Sequence, residues 1–178
     1  MDARVLCIQR DPGPKTHVEL GESGFLCLKN DDATAKRFAT MLDDADIAVS
    51  ETVAWNAYPW YIKRSPWVAE LEAGVEPLWR LLGLLPRLQV VLLHGRTAQD
   101  GWMRLARQHP VRLRGLEVAA YHTSSQASIG SPEVRAARIA ALRQAFAHTA
   151  LTLQEVDHSD VMASNPLRGA GIKTYRAT

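Results

Sequence analysis

Short apolar runs alternating with segments of helical period limit this chain's folding more than any other feature. Val5-Leu6-Cys7-Ile8, Ile47-Ala48-Val49, Leu88-Gln89-Val90-Val91-Leu92-Leu93 and Val118-Ala119-Ala120-Tyr121 are the runs, and stretches with apolar residues three and four apart lie between them. A strand covered on both faces reads as an unbroken apolar run, and strands joined by helices cross over and pair in parallel. The pattern predicts an α/β chain: a three-layer αβα sandwich with a central, mostly parallel four-stranded sheet, folded as one domain over 1–178. The second strand is expected to begin at Ile47 and end near Trp55-Asn56. Helices are expected from Asp31 or Asp32 to about 44, over about 67–85, from Thr97 to about 108, and from Ser131 onward. In the first, Ala35, Phe38, Ala39 and Leu42 share a face; in the last, Ile139, Leu142, Phe146, Ala150 and Leu153 do. Residues 157–178 have weak periodicity and are expected to form a docked or mobile tail.

Composition narrows the classes. The chain has 178 residues, 47% of them hydrophobic and 22% charged, enough for an ordinary globular core. No apolar run approaches the roughly 18 residues of a membrane span, and the first residues lack a signal-peptide layout. The expectation is a cytoplasmic monomer without membrane association. Only Cys7 and Cys27 occur, with no CxxC, whereas a zinc site or iron–sulfur cluster takes about four ligands. Both cysteines read as small buried residues, and no metal or cofactor is expected. A net charge of +2 does not announce a nucleic-acid binder. The basic residues after Ser131 read equally as a solvated helix face or a phosphate-binding patch.

Polar residues fall where the runs end: Asp11, Asn56, His94-Gly95 and His122. The carboxyl ends of parallel strands share one edge of the sheet, and ligands bind in the crevice there. An acid, an amide and an imidazole, distant in sequence, are thereby expected to converge. Each has a plainer alternative: a turn Asp before Pro12, a turn Asn before Pro59, a capping or core His. His94 reads first as structural, with pocket lining as its alternative. Trp55, Tyr58, Trp60 and Tyr61 read as packing before base stacking, with Lys63 and Arg64 near enough to reach a backbone.

The strand-end segments resemble, in order, those of the uracil-DNA glycosylase superfamily. Arg10-Asp11-Pro12-Gly13-Pro14 resembles its first motif, and Ser23-Gly24-Phe25 the glycine-plus-aromatic element that follows. Ala54-Trp55-Asn56-Ala57-Tyr58-Pro59-Trp60 resembles the base-reading segment. Leu92-Leu93-His94-Gly95-Arg96-Thr97-Ala98-Gln99 is similar to its strand-to-helix junction, and His122-Thr123-Ser124 to its His-Pro-Ser motif. The resemblance covers about residues 5–150. It implies a monofunctional glycosylase that flips uracil out of single- or double-stranded DNA and hydrolyses its bond to the sugar. Asp11 would orient water and stabilise the cationic sugar. Phe25 would stack on the base, with Pro12 and Gly13 completing the pocket. Asn56 would donate to O4 and accept from N3–H of uracil, a pattern that cytosine reverses. His122 would support the negative charge gathering on O2. Ser124, Ser125 and Ser128 would meet phosphates, and Gln126 or Ile129 would fill the gap in the stack.

The sequence also departs from that family. Gly13 stands where the strict uracil branch has a thymine-excluding Tyr, so other 5-substituted or deaminated bases come into range. Thr123 replaces the motif's Pro, and Gln126 its Leu. Two other classes compete. A non-cleaving reader of uracil or damaged DNA would need Asn56 and Phe25 but not Asp11. An unrelated nucleotide or phosphoester enzyme would be expected to show a P-loop or GxGxxG, and neither occurs.

Overall fold

The structure is a computed structural model that describes residues 2–16, 33–109, 116–120, 122–123 and 129–164. Strands β1 (Val5–Gln9), β2 (Thr52–Asn56), β3 (Val90–His94) and β4 (Leu116–Ala120) lie in the order β2-β1-β3-β4, and every pairing is parallel. Helices α1 (Ala33–Asp44), α2 (Val68–Ala73), α3 (Val75–Gly83), α4 (Arg96–Gln108) and α5 (Pro132–Ser164) connect and cover them.

Residue alternation along each strand builds two cores. Leu6, Ile8, Val91 and Leu93 face one way, onto Leu71 of α2, Leu78 and Leu81 of α3, and Ala98, Trp102 and Leu105 of α4. Val5, Cys7, Val90 and Leu92 face the other way, onto Phe38, Met41 and Leu42 of α1 and Leu142, Ala145, Phe146 and Leu153 of α5. The α/β reading and the αβα layering hold. On α1, Met41 is buried and Ala39 only half-buried, a small rotation of the expected face. Cys7 is buried, and burial pushes its thiol well above its ordinary value. Cys27 lies outside the described residues.

Three expectations about element boundaries need correction. Ile47-Ala48-Val49 does not start the second strand: Ile47 is buried in a loop, Val49–Glu51 forms a 3-10 turn, and β2 begins at Thr52. Asp46 sits at φ 54, which turns the chain there and delays the strand. The helix over 67–85 is two helices that meet at Gly74. A Cβ at Gly74 would lie 2.0 Å from the Ala57 carbonyl oxygen, so the break accommodates a close tertiary approach. Residues 157–164 are not a tail but the last turns of α5; residues 165–178 lie outside the described residues.

The end of α5 is anchored at the amino edge of the sheet. Arg4, buried just before β1, donates from Nη2 to the Leu153 carbonyl (2.9 Å) and to Asp157 Oδ1 (2.6 Å). Its Nη1 reaches Glu51 and its Nε reaches Gln89, each at 2.9 Å. One guanidinium thus joins the starts of three strands to the distal half of α5.

Candidate functional site

Strand order fixes where a site can form. From β1 the chain crosses to β2 on one side, then returns past β1 to β3 on the other. Between the carboxyl ends of β1 and β3 the connections diverge, and this switch point is where open parallel sheets leave a crevice. Asp11 follows β1 on one side of it, and His94-Gly95 closes β3 on the other. Asn56 ends β2, paired in register with Gln9. His122 comes two residues after Ala120, the register partner of His94.

Asn56 is held from behind. The Ala57 N–H donates to the Gln9 carbonyl (2.8 Å) and the Tyr58 N–H to the Arg10 carbonyl (3.1 Å), so pairing continues past the strand. Ala57 packs between Gly74 and Gly101, where added Cβ atoms would come to 2.0 Å of its oxygen and 2.8 Å of its Cβ. The amide of Asn56 is 1% exposed, and its Oδ1 has no hydrogen-bond partner among the described residues. An unpartnered buried amide oxygen costs about 1–3 kcal/mol, a cost that a ligand donor would remove.

Asp11 is also sheltered, its side chain 3% exposed and accepting at Oδ1 from Arg10 Nε. Burial raises its carboxyl above the ordinary aspartate value, and the Arg10 charge pulls it back. Arg10 was not singled out in the sequence, yet it has three roles. It pairs with Asp11, it reaches Ser65 Oγ from Nη1 (3.4 Å), and its charge acts on His122. Burial first, then the neighbouring His94 and Arg10, lowers the His122 imidazole to about 4, so the ring is neutral at pH 7.

His94 is fully buried on the α1/α5 face, with its ring edge-on to Phe38 at 5.9 Å and tilted to Phe146 at 5.8 Å. That supports the structural reading: it is a wall behind His122. Gly95 lies at φ 87, and its N–H donates to the Ala120 carbonyl (2.7 Å), tying β3 to β4 just before His122. From the other side Arg37 of α1 donates to the Thr123 carbonyl (2.6 Å). Neither Arg37 nor the burial of Thr123 is visible in a linear motif, because both depend on where α1 packs.

Pro12 and Gly13 follow Asp11. The Gly13 carbonyl accepts from Thr16 N–H (3.0 Å) and Oγ1 (2.7 Å), and a Cβ at Gly13 would meet no described atom within 4 Å. Ile129 is exposed, and its carbonyl accepts from Arg138 at 2.9 Å. Phe25, Ser124, Ser125, Gln126 and Ser128 lie outside the described residues. Among the described residues no group of three or more His, Cys, Asp or Glu could hold a metal ion, and no helix is long and apolar enough to cross a membrane.

A groove of about 640 Å³ lies at the opposite, amino edge, beside α1 and residues 46–51. Asp43, Asp46 and Glu51 line it, a charge that repels phosphates, and no candidate residue borders it. The carboxyl edge therefore carries a sheltered carboxylate, a neutral imidazole and a buried amide whose oxygen has no partner among the described residues. No family model and no curated protein matches the chain.

Proposed function

We propose that the protein is a monofunctional DNA glycosylase that extrudes uracil into the carboxyl-edge crevice and hydrolyses its N-glycosidic bond. The observation that carries this reading is the Asn56 amide, buried with its Oδ1 unpartnered among the described residues, on the same edge as Asp11 and His122. A base with one N–H donor beside one carbonyl acceptor meets such an amide with two complementary hydrogen bonds. Cytosine offers the reverse polarity and leaves both groups unmet, which is strong discrimination in a buried site.

In this mechanism the glycosidic bond stretches as its electrons pass to the pyrimidine. His122, neutral, donates a hydrogen bond to O2 as charge develops there. A protonated imidazole is unnecessary, and burial keeps that form away. The Asp11 carboxylate, paired with Arg10, stabilises the cationic sugar and orients the water that adds to C1′. A lysine nucleophile is not part of the scheme, so the strand stays intact and an abasic site remains. Gly13, standing where a Tyr would exclude a 5-substituent, extends the range to 5-substituted or otherwise deaminated bases.

The test is direct. Uracil-containing single- and double-stranded oligonucleotides are incubated with the protein without added metal, then treated with alkali. Cleavage at uracil only after alkali is expected. Cleavage before alkali would contradict the monofunctional mechanism, and binding without excision would favour the non-cleaving reader.

A further inference from the structure

The segment that leaves Asn56 carries an exposed aromatic surface that the mechanism does not use. Residues 58–67, Tyr-Pro-Trp-Tyr-Ile-Lys-Arg-Ser-Pro-Trp, contain four aromatic side chains, two cations and no acid. Trp60 is 49% and Trp67 68% exposed, where an indole ordinarily buries much of its area. The Trp60 ring rests on Tyr58 with centroids 5.1 Å apart. The Trp67 ring lies under the Arg64 guanidinium, 4.0 Å from its centre, and Glu70 fixes that guanidinium through two bonds of 2.7 and 2.6 Å. Both indoles are therefore oriented before any ligand arrives. Both ends of the segment reach the candidate site through Arg10, which accepts from Tyr58 N–H and donates to Ser65.

We infer that this segment is a stacking platform for unpaired nucleotides beside the extruded one, and that single-stranded DNA is the preferred substrate. The inference rests on the proposed function for its substrate. Indoles that face solvent, each seated against a neighbouring side chain and beside Lys63, suit a strand whose bases are free to stack and whose phosphates are anionic. A duplex keeps its bases stacked on one another and offers such rings no partner. For Trp60 this takes up the base-stacking alternative to packing.

The test uses the full chain and uracil-free DNA, so that binding is read apart from excision. Anisotropy of an end-labelled thymine oligonucleotide, of its duplex, and of a strand of the same length made of abasic residues is followed as protein is added. The expected order is single strand tightest, with duplex and abasic strand weaker. W60L/W67L, which keeps apolar bulk without a π face, should bind the thymine strand about thirtyfold more weakly, the loss of two modest stacks. W60F/W67F should restore most of the binding. W79L should bind as the parent does, because Trp79 stacks on His109 instead, with centroids 4.5 Å apart. Thermal melting checks folding, and W67L alone, at the most exposed position, serves if the double variant unfolds. Parent-like binding by the Leu variants, or equal binding of abasic and thymine strands, would overturn the platform. Excision of uracil with Trp-independent binding sinks the platform alone. Trp-dependent binding without excision sinks the proposed reaction and leaves the platform standing.

Discussion

Asn56 and Asp11 are both sheltered polar groups, but they are satisfied differently. Asp11 has a cation beside it, whereas the Asn56 Oδ1 has no donor among the described residues. Asp11→Asn keeps the volume and removes the charge, so excision should fall about 10²–10⁴-fold while binding of uracil-containing DNA persists. Equal loss of binding would instead mean that Asp11 holds the fold or the DNA. His122 gives a pH prediction with a definite sign. Unfolded, its imidazole takes a proton near 6.5; folded, near 4. Its contribution to stability is therefore intact above 6.5 and declines as pH falls from 6.5 toward 4. Catalysis needs the neutral ring, so the excision rate should show no His122 limb near 6.5. A profile that halves at 6.5 and a histidine resonance titrating there would contradict the assignment. The site residues visible in the sequence were those at strand ends, where position alone implies convergence. Arg10 as partner of Asp11, and Arg37 as tether of Thr123, were not visible, because each acts through a contact that only the packed chain creates.

At the scale of elements, the same contrast explains which boundaries were legible. The run over Leu88–Leu93 reads as a strand because both its faces are covered. The split between α2 and α3 does not, because its cause is the Ala57 carbonyl arriving from β2. The continuation of α5 past 157 was also hidden: its periodicity is weak, and a distant arginine holds the helix at Leu153 and Asp157. The Gly74–Ala57–Gly101 contact is the support for Asn56, so Gly101→Ala should push Ala57 away and misplace the amide. The expected result is uracil excision reduced about tenfold or more, with a modest loss of melting temperature, since small misplacements in a site are costly. Wild-type excision by a folded Gly101→Ala protein would show that Asn56 needs no such support. Gly95→Ala meets a second constraint, φ 87, and should destabilise by about 1–3 kcal/mol in chemical denaturation.

At the scale of the whole molecule, the two edges of the sheet divide the work. The amino edge is locked by Arg4, and the carboxyl edge carries the polar residues of the candidate site. Arg4→Ala removes a buried guanidinium from four acceptors and should cost about 2–4 kcal/mol of stability. Excision measured well below the melting temperature should stay close to parental; a large loss at full folding would mean the amino edge communicates with the site. The chain's net charge is only +2, so long-range electrostatic attraction to DNA is weak and discrimination between bases falls to the residues of the carboxyl edge. The measurement closest to that claim is release of free base from uracil- and cytosine-containing single strands by the parent and by Asn56→Asp. The account predicts that the parent releases uracil and not cytosine, and that the variant loses uracil release and gains cytosine release. No free uracil from the parent, or a variant that releases uracil as the parent does, would contradict it.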